Sequence, residues 1–205
     1  MTNSSKIILD LCGGTGSWSK PYKDAGYDVR IITWPENDAR LFPSSRSQDS
    51  PRLPSEFADI EKYPKVHGIL AAPVCTVFSG SGALWKRHDE EILEGLSLVD
   101  ACLRIIYALK PQWWALENPV GKLRKWIGAP SMKFHPCDYG DPYTKRTLLW
   151  GNFNTNLPKN PVEPTLTING RNHHMRMYGG KSEKTKEARS ITPEGFAKAF
   201  FQANP

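Results

Sequence analysis

The stretch Lys6-Ile7-Ile8-Leu9-Asp10-Leu11-Cys12-Gly13-Gly14-Thr15-Gly16 decides the fold. An apolar run of strand length that ends in a cluster of glycines reads as a buried strand entering a tight turn. A helix is expected next, from about Ser17 to Ala25, stopped by Gly26, and Asp28-Val29-Arg30-Ile31-Ile32-Thr33 reads as a second strand. Strand, helix and strand in that order form a βαβ unit, the way a parallel sheet begins.

Working outward, residues from about Pro35 to Pro54 are rich in Pro, Ser, Asp and Arg and show no apolar period, which predicts a surface excursion. His67-Gly68-Ile69-Leu70-Ala71-Ala72 is a third strand, followed by Pro73-Val74-Cys75-Thr76-Val77-Phe78-Ser79 and a mobile Gly80-Ser81-Gly82 loop. Ile92, Leu96, Val99, Leu103 and Ile106 recur at steps of three and four, and Asp89-Glu90-Glu91 places negative charge at the start, so a helix is predicted here. Pro111 ends it, and Trp113-Trp114-Ala115-Leu116 makes a buried strand that delivers Glu117-Asn118-Pro119 to its C-terminal end. Thr147-Leu148-Leu149-Trp150 is a later strand. Thr192 as N-cap, Pro193 at the first helical position, and Phe196 with Phe200 on one face predict a closing helix.

The 205 residues leave room for one sizeable core, and 39% of them belong to the hydrophobic set. No stretch approaches the roughly 18 consecutive apolar residues of a membrane span, and the N-terminus leads straight into a strand, so a cytoplasmic protein without a membrane partner is expected. Lys and Arg number 27 against 21 Asp and Glu, and the net charge of +6 suits a polyanionic partner without requiring one. The four cysteines, Cys12, Cys75, Cys102 and Cys137, form no Cys-x-x-Cys pair, so no zinc site and no disulfide framework is indicated. Cys12, Cys102 and Cys137 read as small buried hydrophobes.

Ligands gather at the C-terminal ends of strands in an open α/β sheet. Gly13, Gly14 and Gly16 would let backbone approach a nucleotide-like ligand, but no Gly-Lys-Ser/Thr follows, and Ser19 stands where a dinucleotide fingerprint has its third glycine. A merely tight turn remains the alternative. Cys75 follows Pro73 beside a flexible loop and Glu117 ends a buried strand, so both could face one cleft. A thiolate is the strongest common side-chain nucleophile, and a neighbouring carboxyl group can hold or protonate a heterocyclic nitrogen under attack.

These segments together resemble the DNA cytosine-5 methyltransferase family. Leu9-Asp10-Leu11-Cys12-Gly13-Gly14-Thr15-Gly16 resembles its S-adenosylmethionine loop, and Pro73-Val74-Cys75-Thr76-Val77-Phe78-Ser79 resembles its nucleophile motif, Pro-Pro-Cys-Gln-x-Phe-Ser. Glu117-Asn118-Pro119 resembles Glu-Asn-Val, Tyr139 to Arg146 resembles Tyr-Gly-x-Pro-Gln-x-Arg-x-Arg, and Asp59-Ile60 falls where an Asp-Ile pair meets the cofactor adenine. The likeness covers about residues 6 to 151 in the family's order. Val74, Thr76, Pro119 and Tyr143 depart from it, and Thr33 stands where the family has the glutamate that holds the cofactor ribose, with Glu36 or Asp38 as possible substitutes.

The resemblance implies an α/β fold, a Rossmann-like S-adenosylmethionine-dependent methyltransferase with a mostly parallel, doubly wound sheet. It implies catalytic roles for Cys75, Glu117 and Arg146. The cofactor would be held by Asp10, Leu11, Cys12, Gly13, Gly14, Gly16, Trp18, Trp34, Asp59, Ile60 and Pro73. DNA would meet Ser79, Gly80, Ser81, Asn118, Pro119 and Lys145, with the target cytosine flipped out of the duplex. Trp85, Lys86, Arg87 and His88 read either as phosphate contacts or as a solvated helix start.

The family's separate target-recognition domain has no room here, because only residues 152–190 separate the Tyr139 segment from the closing helix. That interval has seven basic and three acidic residues, a net +4, and includes Arg171, Arg176 and Lys181. A single methyltransferase domain over residues 1–205 is expected, with 152–190 as a reduced basic DNA-recognition insertion reading a short target. A monomer without metal is expected, His173 and His174 lacking further ligands. A bacterial or viral genome suits the small size. The alternatives are methylation of cytosine in RNA and a non-catalytic nucleic-acid binder, with an exocyclic-amine methyltransferase and a nicotinamide-dependent oxidoreductase disfavoured by the residues at Ala72 to Cys75 and at Ser19.

Overall fold

The computed structural model describes residues 3–33, 39–41, 65–79, 87–165 and 190–205. Its strands are β1 (Ile7–Leu11), β2 (Asp28–Ile32), β3 (Val66–Ala71), β4 (Trp113–Pro119), β5 (Met132–Phe134) and β6 (Thr147–Asn152). The described helices are α1 (Lys20–Asp24), α2 (Asp89–Leu109), α3 (Arg124–Ile127) and α4 (Glu194–Ala203).

The strands form one sheet in the order β2-β1-β3-β4-β6-β5. β2, β1, β3 and β4 pair in parallel, whereas β6 runs antiparallel to both β4 and β5. Of the described strands β6 alone is reversed, so the sheet is mostly parallel as expected but not purely so, and the connection between β5 and β6 gives the reason. Phe134 pairs with Thr147, so residues 135–146 turn back on the same edge of the sheet; a parallel pairing would need a crossover to the opposite edge.

Alternation along the strands divides the core between two faces. Ile7, Leu9, Leu11, Ile69 and Leu116 pack with Val99, Cys102, Ile105 and Ile106 of α2. Ile8, Leu70, Trp113 and Ala115 pack on the other face with Tyr22 of α1 and Phe196 and Phe200 of α4. Helices on both faces make the sheet doubly wound, as the sequence predicts, and Cys102 is a buried core side chain.

Local chemistry sets the helix limits. The His88 backbone N–H donates to Glu91 at 3.1 Å in a capping box at the start of α2. Lys110 closes the helix in the left-handed region at φ +45°, and Pro111 prevents its continuation. Residues 14–19 are turns, so α1 begins at Lys20 and not near Ser17. The N-cap of α4 is Pro193 and not Thr192, and no side chain caps this helix.

The surface excursion expected at 35–54 and the loop at Gly80-Ser81-Gly82 lie outside the described residues apart from a 3-10 turn at Ala39–Leu41. No described helix is long and apolar enough to cross a membrane.

Phe200 is fully buried against Trp18, Trp113 and Phe153. Phe200→Ala is expected to cost about 3–5 kcal/mol in urea unfolding. Tyr107→Ala, at a side chain 81% exposed, should stay within about 0.5 kcal/mol of wild type. Equal effects of the two would contradict the packing described.

Candidate active site

The parallel pairing of β1, β3 and β4 brings three C-terminal strand ends to one edge, each followed by a chemically distinct turn. At the end of β1, Asp10 is completely buried, and Ser19 Oγ donates a hydrogen bond to its Oδ2 at 2.5 Å. The other oxygen, Oδ1, has no hydrogen-bond partner among the described residues. Burial pushes the carboxyl up from 3.8 to about 6, although the Ser19 hydroxyl opposes the shift.

The glycine turn lies directly over this carboxylate. A Cβ on Gly13 would stand 2.3 Å from Asp10 Cγ, so only glycine fits there. Gly14 has φ +53° and open space where its Cβ would be. Cys12 also occupies the left-handed region, at φ +57°, where a side chain costs on the order of 1 kcal/mol. Its N–H donates to the Ile32 carbonyl at 2.7 Å, fastening the start of the turn to the end of β2.

At the end of β3, the Cys75 carbonyl accepts hydrogen bonds from the N–H groups of Phe78 and Ser79, at 3.1 and 2.9 Å. This turn leaves Cys75 half-buried. The Arg87 guanidinium donates to the carbonyl of Thr76 at 3.1 Å and also pairs with Glu91, so the residue after Cys75 is held from the start of α2.

β4 supplies the third end. Leu116 pairs with Ala71, which places Glu117 just past the last residue of β3, and Asn118 Nδ2 donates to the buried Pro73 carbonyl at 3.1 Å. That bond ties the Glu117-Asn118-Pro119 segment to the Pro73-Val74-Cys75 segment across 45 residues of sequence. Burial raises the Glu117 carboxyl above its ordinary value, and the nearby Lys145 charge partly opposes the shift. Lys145 arrives because Pro119 pairs with Thr147, and Val120 N–H donates to the Arg146 carbonyl at 3.0 Å.

The structure thus gathers Asp10, the glycine turn, Pro73, Cys75, Ser79, Glu117, Asn118, Pro119 and Lys145 at one edge of the sheet. Burial and hydrogen bonding distinguish the expected site residues from one another. Asp10 lies beneath the turn, and the Leu11 side chain is fully buried in the core. The Pro73 carbonyl is occupied by Asn118. Trp18 is buried between Phe196 and Phe200, with ring centroids at 6.0 and 5.5 Å, because the apolar face of α4 needs a partner; it is a core side chain and not a ligand-facing one. Arg146 exposes its side chain and contributes its backbone to the edge.

Trp34, Asp59, Ile60, Gly80, Ser81, Arg171, Arg176 and Lys181 lie outside the described residues, as do Glu36, Asp38, Trp85 and Lys86. His88 is the N-cap of α2. Ser19 is the functional residue that sequence reasoning missed: it reads as a lost glycine, whereas its hydroxyl holds Asp10. Its signal is the pair Ser17 and Ser19 directly after the glycines, and Ser17 Oγ accepts the Thr192 N–H at 2.9 Å. Among the described residues no group of three His, Cys, Asp or Glu side chains could hold a metal ion.

A carboxyl whose folded value lies above its unfolded value binds more protons when folded, so its contribution to stability declines as pH rises from about 3.8 through about 6. For Asp10 the decline amounts to about 3 kcal/mol. Asp10→Asn should remove it. The difference in unfolding free energy between the two proteins should change by about that amount from pH 4 to pH 7; a pH-independent difference would contradict burial as the cause.

No family model matches the chain, and no curated protein matches it. Among solved structures it is similar to the crystal structure of a proposed DNA modification methyltransferase encoded within an E. coli prophage, at 18% identity and a TM-score of 0.46. The match covers 87% of this chain and 56% of that one, so the chain spans little more than half the length of that neighbour. A likeness of this size decides neither fold nor activity, and the topology rests on the strand pairings themselves.

Proposed function

We propose that the chain is an S-adenosylmethionine-dependent DNA cytosine-5 methyltransferase, with Cys75 as nucleophile and Glu117 as its acid partner. The observation that carries this reading is the Asn118 to Pro73 hydrogen bond, which sets a half-buried thiol and a carboxyl of raised pKa on adjacent strand ends. One methyltransferase domain over residues 1–205, with 152–190 as a reduced recognition insertion and a short target, belongs to the same proposal.

The turn after β1 fits the cofactor. It has an unpaired buried oxygen on Asp10, a backbone kept free of side chains at Gly13, and open space above Gly14. Gly13, Gly14 and Gly16 would hold the ligand through backbone, with Asp10 and Ser19 positioning the turn. When bound, S-adenosylmethionine supplies an electrophilic methyl group.

The chain's own residues prepare the base to take it. C5 of cytosine is a poor nucleophile, so Cys75 Sγ must first bond to C6, which moves the electrons of the C5=C6 bond onto C5. Glu117 holds a proton at N3 as that nitrogen gains charge, and its raised pKa keeps the proton available at higher pH than an ordinary glutamate would. Once C5 carries the methyl group, a base removes the C5 proton. The double bond re-forms and the Cys75 thiolate leaves.

With S-adenosylmethionine present, duplex DNA containing 5-fluorocytosine should trap a covalent complex, since after methyl transfer the step that frees Cys75 requires loss of a proton that fluorine has replaced. Peptide mapping should place the adduct on Cys75, and Cys75→Ala should form none while still binding S-adenosylhomocysteine. An adduct on another residue, or methyl transfer retained by Cys75→Ala, would remove the assignment. Glu117→Gln should lower kcat by about 100- to 10,000-fold with little change in DNA affinity; equal losses in both would mean a binding role instead.

A further inference from the structure

From Asn118 to Cys137 the sequence carries Lys122, Arg124, Lys125 and Lys133 and no acidic residue. Several cations elsewhere in the described chain sit one turn from a carboxylate that pairs with them: Lys20 with Asp24, Arg87 with Glu91, Arg104 with Asp100 and Lys198 with Glu194. Lys122, Arg124 and Lys125 form no ion pair with any described residue. Leu123 and Ile127 turn inward onto the core that α2 covers, so Arg124, Lys125 and Trp126 face outward, and Trp126 is 45% exposed.

This surface is fastened to the nucleophile's turn. Lys122 N–H donates to the Phe78 carbonyl at 2.7 Å, Gly121 bridges Ser79, and the Trp126 ring lies 5.7 Å from that of Phe78. Phe78 is itself held through its N–H by the Cys75 carbonyl. Cations with no ion-pair partner among the described residues, set around an exposed aromatic ring, suit a phosphate backbone with a base or sugar beside it.

We propose that Lys122, Arg124, Lys125 and Trp126 form a DNA-contact surface, with the cations on backbone phosphates next to the displaced cytosine and Trp126 against an adjoining nucleotide. The proposal rests on the cytosine-5 reading above and adds a binding element from α3 to the basic interval at 152–190. Its position along the chain, directly after Glu117-Asn118-Pro119, lets one short segment supply both the acid partner and the backbone grip.

The test compares wild type, Lys122→Gln/Arg124→Gln/Lys125→Gln and Trp126→Ala on a duplex, by fluorescence anisotropy across a salt series. The triple variant should reduce the slope of log affinity against log salt by about 2.7 and weaken binding at least about tenfold. Trp126→Ala should weaken it about 5- to 100-fold with the slope unchanged. S-adenosylhomocysteine affinity should stay at the wild-type value in both. Unchanged duplex affinity and slope, with wild type still trapped on 5-fluorocytosine, would overturn the surface and leave the active-site reading standing. Tighter binding of an RNA duplex through the same residues would overturn its assignment to DNA. Wild type that neither binds a duplex nor forms an adduct would overturn both readings.

Discussion

The hydrogen bond from Asn118 to the Pro73 carbonyl is the contact on which the arrangement of the site depends. Parallel strands share a ladder along their length, but nothing in the ladder fixes the turns beyond their ends. Asn118 extends the linkage past the last β3–β4 pair, and its loss would leave a buried carbonyl unsatisfied at a cost of about 1–3 kcal/mol. The Cys75 turn inherits its position from this anchor. Gly95 of α2 then receives it, because a Cβ there would stand 2.5 Å from Val77 Cγ2 and 3.0 Å from Phe78 Cζ. Phe78 in turn accepts the Lys122 N–H and supports the Trp126 ring, so α3 takes its place from the same chain of contacts.

Burial gives the edge of the sheet its electrostatic character. Asp10 and Glu117 lie near the C-terminal ends of β1 and β4, on either side of β3, and desolvation raises both carboxyls, yet their partners differ. A neutral hydroxyl meets Asp10, whereas a cation stands near Glu117. The first arrangement fixes a turn; the second leaves an acid whose protonation responds to its surroundings. Together with Cys12 in the left-handed region, they concentrate locally unfavourable elements at the strand ends, with the apolar core on both faces of the sheet to sustain them.

The parts legible in the sequence were those whose signal is local. The β1 run and its glycines, the apolar period of α2, and the Trp113 strand that delivers Glu117 all appear in the structure within a few residues of their expected limits. The parts that were not legible depend on distant partners. Met132-Lys133-Phe134 is too short to show a period, and it becomes a strand only through Leu149, Leu148 and Thr147. The reversal of β6 comes from that same pairing. Trp18 reads as part of a ligand turn until Phe196 and Phe200, far along the chain, close over it. Ser19 reads as a missing glycine until Asp10 folds beneath it.

The same long-range contacts place the flanks of the basic interval. After β6 the chain returns along the turn at residues 136–142: Asn160 N–H donates to the Asp138 carbonyl, Val162 to that of Cys137 and Thr165 to that of Pro142. On the far side of residues 166–189, Thr192 N–H donates to Ser17 Oγ, just beyond the glycine turn. One fastening therefore belongs to the β5–β6 side of the sheet and the other to β1. In sheet order they straddle β3 and β4, whose ends carry Cys75 and Glu117. Both flanks are therefore held at the edge of the sheet that carries Cys75 and Glu117. The sheet thus sets the described residues on both sides of 166–189, through the 136–142 turn on one side and Ser17 on the other.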